Sequence, residues 1–439
     1  MSSVDYQSHF SLANIPFGVA SSESHPMPQC VTRLENKVIF LADLQRAGIF
    51  AGVAGLSDSV FEESTLNEYA ALPKSTQREV RKVLQETLAK PLPTGFSEKL
   101  GAVTLHMPVQ VGGFTDFSCS LHHVRNAGRA ILNDETPPPG FFNFPIGYNG
   151  RASTVFTSGT PVVRPKGHFY DRSAPGEKKP IIYGPSQALD YELEIGVIVG
   201  KGVPRLQGLN AKDADENIFG FVILNDWSGK EPWSKISLNS PGGGWSGTKA
   251  DIDLLLSGCI ARDIQGCEMV PLGPLNGKSF GSSISPWIVT LDALEPFRVP
   301  GPKPERVLAS HLEDADVSSY AIDLKVEIIA ANHTTKISES NTQDLHWSGR
   351  QMAAHLASIG ADLQTGDIIG TGTVSGPVDG SYGCLLEITK AGKEPITLAD
   401  GSKRHFLLDG DVVRMTAVAG DPGSGVGFGE CVGEVKPAI

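Results

Sequence analysis

No two cysteines in this 439-residue chain form a CxxC, although there are six: Cys30, Cys119, Cys259, Cys267, Cys384 and Cys431. That spacing excludes zinc ribbons and argues against a disulfide framework, so a reducing, cytoplasmic setting is expected. No apolar stretch is long enough to span a bilayer, and MSSVDYQSHFSLANIPFGVA at the N-terminus lacks a basic segment followed by an apolar core. No membrane association is expected. Lysine and arginine total 37 against 49 acidic residues, for a net charge of −12, and the basic residues are scattered. Nucleic acid and anionic membrane surfaces are therefore excluded as expected partners.

The length implies two domains or one large one with a substantial core. Residues 1 to about 105 mix short apolar runs with one helical pattern, Lys74 to Leu92, in which Val80, Val83, Leu84 and Leu88 share a face. This predicts a small α+β domain. From about 106 to 439 the pattern is mainly β, with short strands, many Gly and Pro turns and one clear helix at Gly349 to Ser358. Runs such as DIIGTGTVSG and LLDGDVVRMTAVAG predict a curled sheet rather than alternating βαβ units. No fixed-period repeat is present.

The chemistry-bearing pattern is acidic. LDYELEIGVIVG, from Leu189 to Gly200, reads as a strand, so Glu192 and Glu194 share one face while Tyr191, Leu193, Ile195 and Val197 take the other. Two carboxylates roughly 6 to 7 Å apart repel unless one protonates or a cation bridges them. Oxygen ligands favour calcium or magnesium. The alternative is a solvent-facing acidic strand edge. Asp226 follows the apolar run FGFVIL, which can deliver a carboxylate to a strand end, although a lone Asp there is commonly a turn or cap residue. Asp116 lies in VGGFTDFSCSLHH, just after Gly112 and Gly113, with His122 and His123 following.

Several motifs then converge on one family. FTDF (Phe114 to Phe117), GYNGRAS (Gly147 to Ser153), DYELE (Asp190 to Glu194), NDWS (Asn225 to Ser228), PLGPLNGKSFGSSISP (Pro271 to Pro286), GTVSG (Gly372 to Gly376) and GVGFGEC (Gly425 to Cys431) give a chain that resembles the fumarylacetoacetase (fumarylacetoacetate hydrolase) family from near Phe10 almost to its end. The resemblance implies an N-terminal SH3-like barrel, a C-terminal mixed β-roll and a homodimer. It implies metal-dependent hydrolysis of a carbon–carbon bond in a small 1,3-diketo acid, 4-fumarylacetoacetate, with calcium or magnesium as cofactor. Asp116, Glu192, Glu194 and Asp226 match the metal ligands, and Lys278, Gly281 and Ser282 match a loop used near a second cation. His123 matches the base that deprotonates water, and Glu387 the carboxylate that orients it. By pattern alone, Glu387 in GCLLEI would be an exposed strand residue. Arg262, Gln265 and Lys278 match the cluster that stabilises the oxyanion, whereas the sequence alone would leave Arg262 and Lys278 as solvated surface charges. Tyr148 and Thr373 match substrate contacts.

Three substrate-side positions depart from the family. Ser118 and Met269 stand where tyrosines are usual, and Leu132 where an arginine is usual. Leucine cannot bind a carboxylate by two parallel bonds, so a paralogue acting on a less acidic, acylpyruvate-like diketo acid is one expectation, and a catalytically impaired metal-binding homologue is another. An oxo-acid decarboxylase or isomerase is a third; the match of His123 and Glu387 to a water-activating pair favours hydrolysis. Gly229 to Ile260 separates NDWS from ARDIQ, which are contiguous in the family. Its GGGWSGTK resembles a phosphate-binding loop but reverses the final Lys and Thr order and follows no strand. Its ends can be encoded by splice-donor and acceptor sequences that close the reading frame, which predicts a translated, retained intron at 229–260.

Overall fold

The computed structural model describes residues 6–93, 95–171, 174–175, 179–229, 263–268, 272–314 and 318–439. The expected insertion beyond Gly229, with Arg262 and Met269, lies outside the described residues. The architecture is mainly β, with few helices. Among the described residues no helix is long and apolar enough to cross a membrane.

The N-terminal sheet is antiparallel, in the order Ser97–Lys99, Lys37–Phe40, Gln29–Leu34, Phe17–Ser22, Val103–Leu105. Its two edge strands are consecutive in sequence, joined by the three-residue 3₁₀ turn Leu100–Ala102. A flat five-stranded sheet is about 19 Å wide, whereas such a turn advances only about 6 Å, so the sheet must curl until its edges approach. The helix Lys74–Leu88 packs Val80, Leu84 and Leu88 into this core. It stops short of the expected Leu92, and Pro91 accounts for this by disfavouring helical geometry at Lys90.

The central sheet runs Gly147–Asn149, Phe114–Phe117, Ile368–Gly370, Leu193–Val199, Ile218–Asp226, Ser282–Ile284, Val155–Thr157, with Val289–Thr290 paired beside it. It is buried on both faces. Leu193, Ile195, Val197 and Val199 join a core with Ile322, Leu324, Val326 and Ile328 of an outer sheet, while Ile198, Val222, Leu224, Ile284 and Ile368 join the core of the N-terminal sheet. The outer sheet runs His333–Asn341, Ile322–Ala330, Val412–Ala419, Gly427–Lys436, Val162–Val163. The helix Gly349–Ala357 begins with a capping box between Ser348 and Gln351. Of DIIGTGTVSG only Ile368–Gly370 is strand; the rest leaves the ladder, and that departure positions the site.

Candidate active site

The face of the central sheet that packs on the N-terminal core changes character at one end. Following each strand outward in steps of two, Phe114 gives way to Asp116, Leu224 to Asp226, Ile284 to Ser282, and Ile198 through Gly196 to Glu194. Glu192 continues that line just before its strand begins at Leu193. Alternation therefore delivers four carboxylates from three strands to one spot, each offering an oxygen within 4.8 Å of the others. Asp116, Glu192, Glu194 and Asp226 are all at most 3% exposed, which replaces the solvent-facing alternative with a buried cluster.

The strand lying between those of Asp116 and Glu194 contributes Gly370. A Cβ there would stand 2.9 Å from both Asp116 Oδ1 and Glu194 Oε2, so glycine keeps the cradle open. Asp116 Oδ1 and Glu194 Oε1 are buried with no hydrogen-bond donor in reach among the described residues. Their carboxyls face each other, a contact that only a proton or a cation makes attractive. Burial, followed by the charge of Asp226, pushes Asp116 up to about 6 against the pull of Lys278. Burial and the neighbouring Asp116 and Asp226 push Glu194 well above the carboxylate range. Hard oxygen donors, orphaned lone pairs and a glycine-lined gap fit a divalent cation.

Lys278 reaches into the same cluster. Its ammonium donates to Glu192 Oε2 and Asp226 Oδ2 and lies 3.8 Å from Asp116 Oδ2. Burial works against that charge, yet Asp226, Asp116 and Glu194 outweigh it and hold Lys278 above the usual lysine pKa. It is buried, not the solvated cation its isolation in sequence suggests. Its loop is fixed by Glu268, whose carboxylate accepts the N–H groups of Leu275, Asn276 and Gly277 at 3.0 Å each. Gln265, on the helix Asp263–Glu268, packs against Gly277 with no room for a side chain between them. Ser282 donates to Asp226 Oδ1 at 2.7 Å, and Gly281 beside it sits against Phe156. Tyr148 donates to Asp226 Oδ2 at 2.8 Å; burial and then the charges of Asp116 and Asp226 keep it a phenol.

A second arrangement stands nearby. His123 opens the helix Leu121–Leu132, capped by Ser120, whose hydroxyl accepts the His123 N–H at 3.2 Å. Its Nδ1 meets Glu387 Oε1 at 2.8 Å. Glu387 lies on the four-residue helix Leu385–Ile388 and is fully buried, not an exposed strand residue. Three further donors surround it: Ser375 Oγ at 2.7 Å and Cys384 Sγ at 3.3 Å on Oε1, and Asn126 Nδ2 at 3.0 Å on Oε2. Burial raises its pKa, but His123, Ser375 and Asn126 prevail and hold it below the usual glutamate value. An ionised Glu387 accepts a hydrogen bond from the His123 Nδ1–H, which leaves Nε2 as the ring nitrogen with a lone pair.

One short segment ties the two arrangements together. Gly372 N–H donates to Glu194 Oε2 at 3.1 Å, and three residues on Ser375 holds Glu387. Between them Thr373 Oγ1 is buried with no hydrogen-bond partner among the described residues. Ser118 lies against the same segment, its Cα 2.9 Å from where a Cβ on Gly372 would stand. Leu132 ends the helix that His123 opens, about half a turn out of phase with it at roughly 100° per residue. Sequence reasoning missed Asp190, Asn126, Ser375, Glu268 and Gly370. Only Asp190 left a signal, as the third acid in the i, i+2, i+4 alternation of DYELE.

Residues 113–436 match the family described as fumarylacetoacetate (FAA) hydrolase C-terminal, and residues 13–108 that described as fumarylacetoacetase N-terminal. The chain is 36% identical over 447 residues to the fumarylacetoacetase of Arabidopsis thaliana, covering 99% of this chain and 97% of that protein. It is 38% identical over 451 residues to the fumarylacetoacetase of Aspergillus fumigatus, covering 98% and 97%. The crystal structure of Cg1458 with inhibitor superposes with a TM-score of 0.51 at 14% identity, over 97% of this chain and 100% of that one, a likeness of fold. The chain belongs to the fumarylacetoacetate hydrolase family.

Proposed function

We propose that this enzyme hydrolyses 4-fumarylacetoacetate to fumarate and acetoacetate, the last step of tyrosine and phenylalanine breakdown. The observation that carries the reading is the juxtaposition of a cation-ready carboxylate cluster with a His–Glu pair, joined by the segment Gly372–Ser375. Asp116, Glu192, Glu194 and Asp226 would hold a calcium or magnesium ion, which would supply Lewis acidity for a 1,3-diketone.

The chain's own groups account for the rest. His123 Nε2 takes a proton from water while Glu387 fixes the ring and balances the positive charge it acquires. Hydroxide adds to the carbonyl carbon of the fumaryl group. Lys278 and Gln265, with Arg262, stabilise the resulting alkoxide, each donor contributing about 3 kcal/mol. The carbon–carbon bond then breaks, its electron pair leaves as the enolate of acetoacetate, and His123 returns the proton to that carbon. Thr373 and Tyr148 contact the substrate. The loss of diketone ultraviolet absorbance, followed with and without a chelator, tests the reading: no metal-dependent turnover would refute it.

A related acylpyruvate-like diketo acid is the second reading, favoured by Ser118, a short side chain whose backbone lies against Gly372. A preference for neutral over dianionic substrates would support it.

The division into residues 1–105 and 106–439 is supported by separate N-terminal and central sheets, and an SH3-like barrel by the short turn joining the N-terminal sheet's edges. A homodimer and a cytoplasmic location remain part of the proposal on family grounds. The retained-intron reading of 229–260 gains support from its ends. A Cβ on Gly229 would stand 3.1 Å from Asp263 Oδ1, so the residues flanking the segment lie within side-chain reach of each other. A transcript that always carries the segment would end it.

A further inference from the structure

The three acids of DYELE have two different duties. Glu192 and Glu194 belong to the carboxylate cluster, whereas Asp190 turns to the other arrangement. Its Oδ1 accepts the N–H of Leu385 at 2.9 Å and its Oδ2 that of Leu386 at 2.8 Å. These are the first two residues of the helix that carries Glu387. Four residues cannot hold a helix unaided, because nucleation fixes several dihedral angles for a single internal bond. This one is pinned at its start by Asp190 and at its end by the Thr389 hydroxyl, which donates to Leu385 O at 2.7 Å. Asp190 is itself fully buried and steadied by the Tyr191 N–H at 2.8 Å.

We propose that Asp190 is a positioning residue for hydrolysis: it latches the Glu387 helix to the strand segment that carries two of the cation ligands. The proposal rests on the hydrolase reading above. Glu387 is the third residue of its helix, so the direction of its carboxylate toward His123 follows from how the first two N–H groups are held. An asparagine at 190 keeps the shape but offers one oxygen and one NH₂, so one helix N–H would lose its acceptor and face a donor.

The test is Asp190→Asn in the full-length enzyme. We expect kcat to fall about 10- to 100-fold with KM changed less than about threefold, as a misplaced orienting group predicts. The acid limb of the kcat profile should move, because the Glu387–His123 hydrogen bond that couples their protonation loses alignment. Calorimetric affinity for Mg²⁺ or Ca²⁺ should stay within about threefold, since no ligand is touched. Asn126→Ala removes a donor from Glu387 directly and should also move the limb. A purely structural role for Asp190 would lower the active fraction and leave the limb in place, and that outcome, or unchanged kcat, overturns the proposal. Amide exchange at Leu385 and Leu386 should rise in Asp190→Asn whether or not the substrate is correctly named. An inactive wild type with faster exchange in the variant would sink the hydrolase reading alone, and unchanged exchange would sink the latch.

Discussion

Glu194 and Glu387 are both glutamates with no exposure to water, yet their environments drive them in opposite directions. Glu194 faces other acids and is pushed up; Glu387 is surrounded by His123, Ser375, Asn126 and Cys384 and is held down. Burial is the largest influence on each and raises both. The difference lies in the donors. A buried carboxylate given hydrogen-bond donors is a finished anion, ready to orient a histidine. One given a single backbone N–H among other carboxylates is unfinished, and its remaining demand is for positive charge.

Removing the finished anion should have the largest effect. Glu387→Gln leaves the ring without a charged partner, and kcat should fall about 10³- to 10⁴-fold in the ultraviolet assay, with cation affinity unchanged. Filling the unfinished site comes next. Gly370→Ala puts a methyl group among Asp116 and Glu194, and calorimetry should show Mg²⁺ or Ca²⁺ binding weakened at least about tenfold while the His123–Glu387 pair is untouched. Lys278→Met should lower kcat about 100-fold and also destabilise the metal-free protein by about 3 kcal/mol, since it strips a buried charge of its partner. Added Mg²⁺ or Ca²⁺ should restore most of that stability in thermal melts.

The smallest effect is on pH. Asp116, raised to about 6, must release its proton before it can ligate, so cation affinity should decline as pH falls through about 6. The metal-free fold carries the opposite sign. A carboxyl whose folded pKa exceeds its unfolded one contributes stability below pH 3.8 that is lost as pH rises through about 6, so chelated protein should melt lower at pH 7 than at pH 5 as far as this group decides. If both trends were flat, the contrast between the two glutamates would fail.

How much of this was legible in sequence follows the same division. Strand alternation set Glu192 and Glu194 on one face and carried Asp226 to a strand end, because period two survives wherever both faces of a sheet are buried. The helix Lys74–Leu88 was legible for a similar reason, its apolar stripe meeting one core. Glu387 was not. GCLLEI has no period long enough to reveal a four-residue helix, and its partners Asn126 and Asp190 are about 200 or more residues away. Lys278 gave no local signal because its burial depends on acids from three other strands. Family resemblance supplied both positions, and local pattern could not have.

The near contact of Gly229 and Asp263 has a practical consequence. Flanking residues within side-chain reach of each other offer a socket: a compact reporter whose own termini lie side by side could stand in for 230–260 and leave Arg262 in place. Placed beside Asp226, its emission would register loading of the neighbouring dication without any substrate present.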